Sequence, residues 1–327
     1  MHKKKIISSI IFFILGVTLF WYVYRNFDFS ELKNALHNIR FGWIIVSIVF
    51  GLVSHFIRAL RWKMLINTMG YKPLISNLFL SVIILYFTNL IIPRGGEVSR
   101  CLVISKYEKI PFVKLVGTVF VERITDLFAF LLLLFVLVIC QFGFFETVLS
   151  YPGFKIDFSY HHFKIFPVLL IFILITILVS AMVKFSIFNK IYLKLKTLKG
   201  EFIEGISVIM HMKKKIKFIV YTFAIFLLWL LMLYVVFFAY PPTDKLSFIV
   251  ALLTYALGTL AYLLPIQAGI GAWHFIVINC LFFYGIDKES GMIFALVAHT
   301  FTNLIYLIFG PIAMAFLPVL NNTNEYS

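Results

Sequence analysis

Three arginines lie inside apolar sequence, and each travels with a carboxylate. They are Arg94 and Arg100 in Pro93-Arg94-Gly95-Gly96-Glu97-Val98-Ser99-Arg100, and Arg123 in Glu122-Arg123-Ile124-Thr125-Asp126. The chain has 29 Lys and Arg residues, and the rest fall between hydrophobic segments or at their ends. A charge at membrane depth costs roughly 2.5–3.5 kcal/mol on insertion scales, so such residues are expected to be paired inside the protein or to line a polar cavity.

The first motif has a mechanism. Gly95 and Gly96 permit positive φ and close backbone approach. A helix restarting at about Gly96 aims its N–H groups into the gap, and that positive end together with Arg94 suits a phosphate or carboxylate. Arginine adds a two-pronged fork for phosphate oxygens. The alternative is that Arg94 and Glu97 pair with each other and only stabilise the break. In the second motif Glu122 and Asp126 share a helix face, with Arg123 three residues from Asp126. Either the three form an internal ion pair, or one carboxylate orients Arg94 or Arg100 while another exchanges a proton or receives a cationic head group.

The elements that position these groups must be membrane helices. The chain is 62% hydrophobic, 13% charged and has mean hydropathy +1.01. A span needs about 20 apolar residues, and hydrophobic segments fall at about 6–24, 41–57, 74–92, 113–142, 165–183, 217–240, 246–264, 268–284 and 291–317. The net charge of +15 reads as topology and attraction to anionic lipid, not nucleic-acid binding, because the lysines flank membrane segments. Cys101, Cys140 and Cys280 sit in apolar sequence without paired spacing, so neither disulfides nor a metal site is implied. The basic start followed by Ile6–Tyr24 lacks small residues at a cleavage site and reads as an uncleaved first span.

Nine lysines between 184 and 217 place that stretch in the cytoplasm. Lys3–Lys5 and the cluster Arg58, Arg61, Lys63 and Lys72 are expected on the same side, as are both termini. The parity then requires that 74–92 enter, break at Pro93-Arg94-Gly95-Gly96 and return through about 97–105. A second break, Leu264-Pro265-Ile266-Gln267-Ala268-Gly269-Ile270-Gly271, leaves 246–284 as a second hairpin or as two full spans. Irregular backbone at membrane depth is tolerated only where it is buried or lines a cavity. Two broken hairpins entering from opposite faces are the pattern of an inverted-repeat transporter. The expected fold is therefore all-α, a polytopic helical bundle forming one membrane domain over 1–327. Residues 185–212, with apolar positions at helical spacing, are expected to form a cytoplasmic amphipathic linker helix between halves.

Arg58-Ala59-Leu60-Arg61-Trp62, the Pro93–Arg100 motif, the Glu122–Asp126 motif and Pro265…Gly269-Ile270-Gly271 occur in an order that resembles the lysylphosphatidylglycerol synthase transmembrane family, the flippase-like membrane domain. The resemblance implies movement of lipids between leaflets. It also implies an acidic residue after the second break and an arginine on the last span, where this chain has His274, after Trp273, and His299. Histidine titrates near neutral pH, so these two either couple transport to protons or are hydrogen-bonded structural residues.

The expected function is transport of a phosphate-bearing or anionic lipid, phospholipid or polyprenyl-phosphate-linked, across the inner membrane. The expected binding residues are Arg94, Gly95, Gly96, Glu97, Arg100, Glu122, Arg123, Asp126, Gly269, Gly271, His274 and His299. No cofactor, metal or catalytic residue is expected, since the sequence shows no phosphate-binding glycine loop and no nucleophile elbow. The alternatives are an intramembrane lipid-modifying enzyme, or a scaffold for a cell-envelope glycosyltransferase or lipid synthase.

Overall fold

The computed structural model describes residues 2–141, 208, 211–264 and 266–322. Within them the chain runs through α1 (His2–Tyr24), α2 (Phe29–His37), α3 (Phe41–Thr68), α4 (Ile75–Ile91), α5 (Gly96–Glu108), α6 (Phe112–Cys140), α7 (Lys215–Phe237), α8 (Phe248–Ala261), α9 (Ala272–Phe283) and α10 (Lys288–Asn322). Four of these, α3, α6, α7 and α10, are long and apolar enough to cross a membrane. Their outward positions carry Ile45, Ile139, Val220 and Leu307, each at least half exposed. That is the surface expected of a bundle whose outside solvent is lipid.

Both breaks form hairpins. At 1.5 Å per residue, α5, α8 and α9 reach only about 20 Å, short of a core about 30 Å thick. The 246–284 region is therefore a re-entrant pair and not two full spans. α4 packs along α5, and α8 packs along α9. The first break is local chemistry. Ile92, ahead of Pro93, is extended (φ −120, ψ 111) and stops α4. Arg94 then takes a left-handed φ of 58. Asn89 Oδ1 accepts from the Gly96 N–H at 2.8 Å, satisfying one of the free donors at the start of α5.

Gly96 is required by space. A Cβ there would lie 2.3 Å from the Leu85 carbonyl oxygen, a backbone atom that cannot swing aside. Gly96→Ala should therefore push α5 off α4. Overpacking of this kind costs about 1–3 kcal/mol. Thermal unfolding of the purified variant should show a lowered Tm, and an unchanged Tm would mean that the two strokes of the hairpin are not in close contact.

The second break passes through extended Ile266 and a 3-10 turn at Gln267–Gly269, with left-handed Ala268 (φ 50), Gly269 (φ 67) and Gly271 (φ 80). Its tip is sealed by α1. A Cβ on Gly271 would lie 2.6 Å from the Phe20 backbone nitrogen, and Gly16 of α1 has the same relation to the Ile266 side chain. Small residues let membrane helices approach this closely.

Each hairpin has its own apolar core. Around the first, Trp62, Leu78, Ile104, Leu115 and Phe218 are buried together. Around the second, Tyr24, Phe237, Val277, Leu281 and Phe294 are buried together. The expected segment 165–183 and nearly all of the expected linker helix 185–212 lie outside the described residues. Of the linker, Val208 and Met212 are buried in the first core.

One expectation is corrected. Arg58 and Arg61 are not solvated cations at the end of a span. α3 continues to Thr68, and its buried stripe, Gly51, Ser54, His55, Arg58, Arg61, Trp62 and Leu65, carries both guanidiniums inward. A 28-residue helix keeps its packing face for its full length, and the two arginines fall on that face. The short polar helix α2, capped by Asp28 accepting from the Ser30 N–H at 2.8 Å, also went unforeseen in the segment between the first two spans.

Candidate functional site

α3, α5 and α6 converge on one charged cluster, with α7 beside it. Glu122 on α6 is fully buried and bridges two arginines that are also fully buried. Its Oε1 accepts from Arg61 Nε (3.3 Å) and Nη2 (3.1 Å), and its Oε2 accepts from Arg100 Nη2 (2.6 Å). One turn on, Asp126 Oδ1 accepts from Arg61 Nη1 at 2.6 Å. Asp126 Oδ2 lies 2.9 Å from Arg123 Nη2 and 3.6 Å from Arg58 Nη1. Arg61 Nη1 also donates to Thr222 on α7 (3.0 Å). Glu97 completes the cluster, 3.5 Å from Arg123 Nη1. Two guanidiniums are braced by indoles: Arg58 stands 4.9 Å from the Trp229 ring and Arg100 stands 4.5 Å from the Trp62 ring.

The charges do not balance. Four guanidiniums, Arg58, Arg61, Arg100 and Arg123, meet three carboxylates, Glu97, Glu122 and Asp126. Nε and Nη1 of both Arg58 and Arg100 are buried without a hydrogen-bond partner among the described residues. An interior cluster with one positive charge in excess, in a low-dielectric setting, is poised to accept an anion.

The cluster opens onto a cavity of about 410 Å³ that lies between the two hairpins. Arg123 and Glu97 are its exposed members, with side chains 38% and 28% accessible. Arg94 also lines the cavity. It takes no part in the carboxylate network and does not pair with Glu97. Its Nη2 donates across to the carbonyl of Leu263, just beyond α8, at 2.7 Å. The two breaks thus meet at this hydrogen bond. The remaining wall is largely apolar and aromatic, from Leu85 and Tyr86 on α4, Trp229 and Met232 on α7, Tyr255 on α8, Trp273 on α9 and Tyr306 on α10, with the neutral polar side chains of Asn89, Thr259, Thr302 and Asn303 among them.

The twelve residues expected from the sequence divide by place. Arg94, Glu97 and Arg123 face the cavity. Arg100, Glu122 and Asp126 stand behind it as the supporting network. Gly95, Gly96, Gly269 and Gly271 shape the two breaks. His274 and His299 lie behind the second tip, their rings 4.5 Å apart. His299 Nε2 is 2.8 Å from the Ala268 carbonyl, which fixes the proton on that nitrogen. His274 Nδ1 accepts from the Gly271 N–H at 3.4 Å. Each ring thereby ties down a left-handed residue of the break, and neither has a salt bridge among the described residues. Phe20 and Tyr24 of α1 stand edge-on to His274.

Sequence reasoning missed Arg58, Arg61, Thr222, Trp229 and the aromatic stack of Tyr86, His55 and Tyr306, in which His55 Nε2 and the Tyr306 hydroxyl are 2.9 Å apart. Only the arginines left a signal, three residues apart beside a tryptophan at the end of an apolar run.

The family described as the lysylphosphatidylglycerol synthase TM region matches residues 6–310. A UPF0104 membrane protein of Methanocaldococcus jannaschii is 31% identical over 134 residues, which is 40% of this chain and 40% of that relative. The match therefore spans well under half of the relative's length. No solved structure matches the chain significantly.

Proposed function

This chain belongs to the lysylphosphatidylglycerol synthase TM-region family, and from that premise we propose that it moves a phosphate-bearing or anionic lipid across the cytoplasmic membrane. The observation that carries the reading is the unbalanced charge: four guanidiniums on three carboxylates, at the wall of a cavity between two broken hairpins, with Arg94 as a further cation on the same cavity. A phosphate entering there neutralises the excess and takes the fork of Arg94 and the exposed edge of Arg123. The rest of the wall accepts the apolar part of the head group, and the acyl or isoprenoid chains stay in the bilayer.

The hairpins supply the movement. The first opens the cavity towards the cytoplasm and the second towards the outside, with the N- and C-termini cytoplasmic. The phosphate competes with the Leu263 carbonyl for Arg94, so binding loosens the tie between the tips. Glu122 and Asp126 are placed for support and not for catalysis. Both oxygens of Glu122 and both of Asp126 are taken up by arginines, so neither is free to act as a general base. This favours a transporter over a lipid-modifying enzyme.

The test is reconstitution of the full chain in vesicles carrying phospholipids labelled on one acyl chain, with a membrane-impermeant reductant to read leaflet position. The expected result is faster reversal of an anionic phospholipid than in protein-free vesicles. No acceleration for any phosphate-bearing lipid would sink the transport reading.

A further inference from the structure

We propose that the head group taken by this cavity is a sugar phosphate, so that the transported lipid is a glycosylated lipid phosphate; the inference rests on the lipid-phosphate reading of the same site. The argument starts from which aromatic residues are present. The chain has 39 Phe, 16 Tyr and 5 Trp. The cavity wall has four Tyr, two Trp and no Phe. The commonest aromatic residue is absent from this cavity, where rings face an interior space. Rings that only filled volume would follow the chain's composition. Tyr and Trp differ from Phe in carrying a polar handle beside an apolar face.

A pyranose needs both properties. Its axial C–H bonds are slightly positive and stack on the negative face of a ring, while its hydroxyls donate and accept at the rim. The rims here are furnished with neutral partners: Asn89, Asn303, Thr259 and Thr302 line the same cavity as the rings. Some rings are already committed. Tyr86 and Tyr306 stack on each other at 4.9 Å, and Trp229 braces Arg58. Trp273 sets its ring against His299 and His274 at 5.3 and 5.7 Å, so Tyr255 and Tyr262, both from the second hairpin, remain to face a ligand across from Arg94 and Arg123.

Size and charge agree. A bare phosphate would leave most of about 410 Å³ empty, and small-molecule sites begin at roughly 300 Å³. An ammonium head group would also like aromatic faces, but two guanidiniums, Arg94 and Arg123, against the single carboxylate Glu97 make the cavity repel a second cation. A neutral polyol attached to a phosphate meets no such objection.

The experiment uses the full chain in phosphatidylcholine nanodiscs and follows tryptophan fluorescence. Two probes share one chain: farnesyl phosphate and farnesyl phosphoryl mannose. The mannosyl probe should bind at least tenfold tighter. Tyr255→Phe and Thr259→Val should each narrow the ratio of the two constants at least threefold. Equal binding of the probes, or an unchanged ratio in both variants, overturns the sugar inference and leaves the phosphate reading standing. If neither probe binds, both readings fall together.

Discussion

Glu122→Gln should be the most damaging substitution in the cluster. Glu122 has no exposed surface, and neither do Arg61 and Arg100, the two arginines that it bridges. Glutamine keeps the shape but removes the charge. Its amide nitrogen must face one of two guanidiniums that can only donate. Removing one partner of a buried ion pair costs about 3–5 kcal/mol, because the other charge is left uncompensated. Here Arg100 loses its carboxylate outright and Arg61 keeps only Asp126, in a cluster already one positive charge in excess, against a total stability of roughly 5–15 kcal/mol. The expected outcome is little or no folded protein on size exclusion in mild detergent, and a sharply lowered Tm for any that is recovered. The double variant Arg100→Met with Glu122→Gln removes one charge of each sign, and replacing buried ion pairs by apolar groups is often neutral. It should recover most of the loss. A single Glu122→Gln variant as stable as the parent would show that the network is wet and weak.

Arg94→Gly should do the opposite: keep the fold and abolish transport. Arg94 stands outside the carboxylate network, so its loss strands no buried acid. Its φ of 58 is strained for a side chain and free for glycine. That gain offsets the lost hydrogen bond to Leu263, and the net change in stability should stay within about 1 kcal/mol. Binding is another matter. A hydrogen bond to a charged group contributes about 1.5–3 kcal/mol, so loss of the Arg94 fork should weaken phosphate binding roughly 10- to 100-fold. Arg94→Lys keeps the charge but not the fork, and should fall in between if two-pronged recognition matters. Vesicle transport and Tm measured on the same preparations separate the two effects. Full transport by Arg94→Gly would remove Arg94 from the site. Loss of both transport and folding would make the tie to Leu263 structural.

The contrast between these two variants shows how much of the site could be read from residues in line. Glu122, Arg123 and Asp126 share a face because helical spacing dictates it, whatever they touch. The two breaks are legible because proline and adjacent glycines act on their own backbone. The apolar runs fix an all-helical membrane bundle because a backbone in lipid must satisfy its own hydrogen bonds. All of this is local, and local chemistry is written in order along the chain.

What the tertiary structure alone decided is which charges meet. Arg58 and Arg61 follow an apolar run and look like inner-face cations; the rotation of α3 about its axis turns them onto Glu122 and Asp126 instead. Arg94 looks like a partner for Glu97, three residues away; its left-handed backbone accompanies a reach across to Leu263, 169 residues on. The cavity needs walls from α4, α5, α6, α7, α8, α9 and α10, and no window of sequence holds them. A sequence specifies which groups cannot face lipid. Only packing specifies which neighbour each finds, because a buried charge is stabilised by whatever partner the fold brings within reach, however distant along the chain.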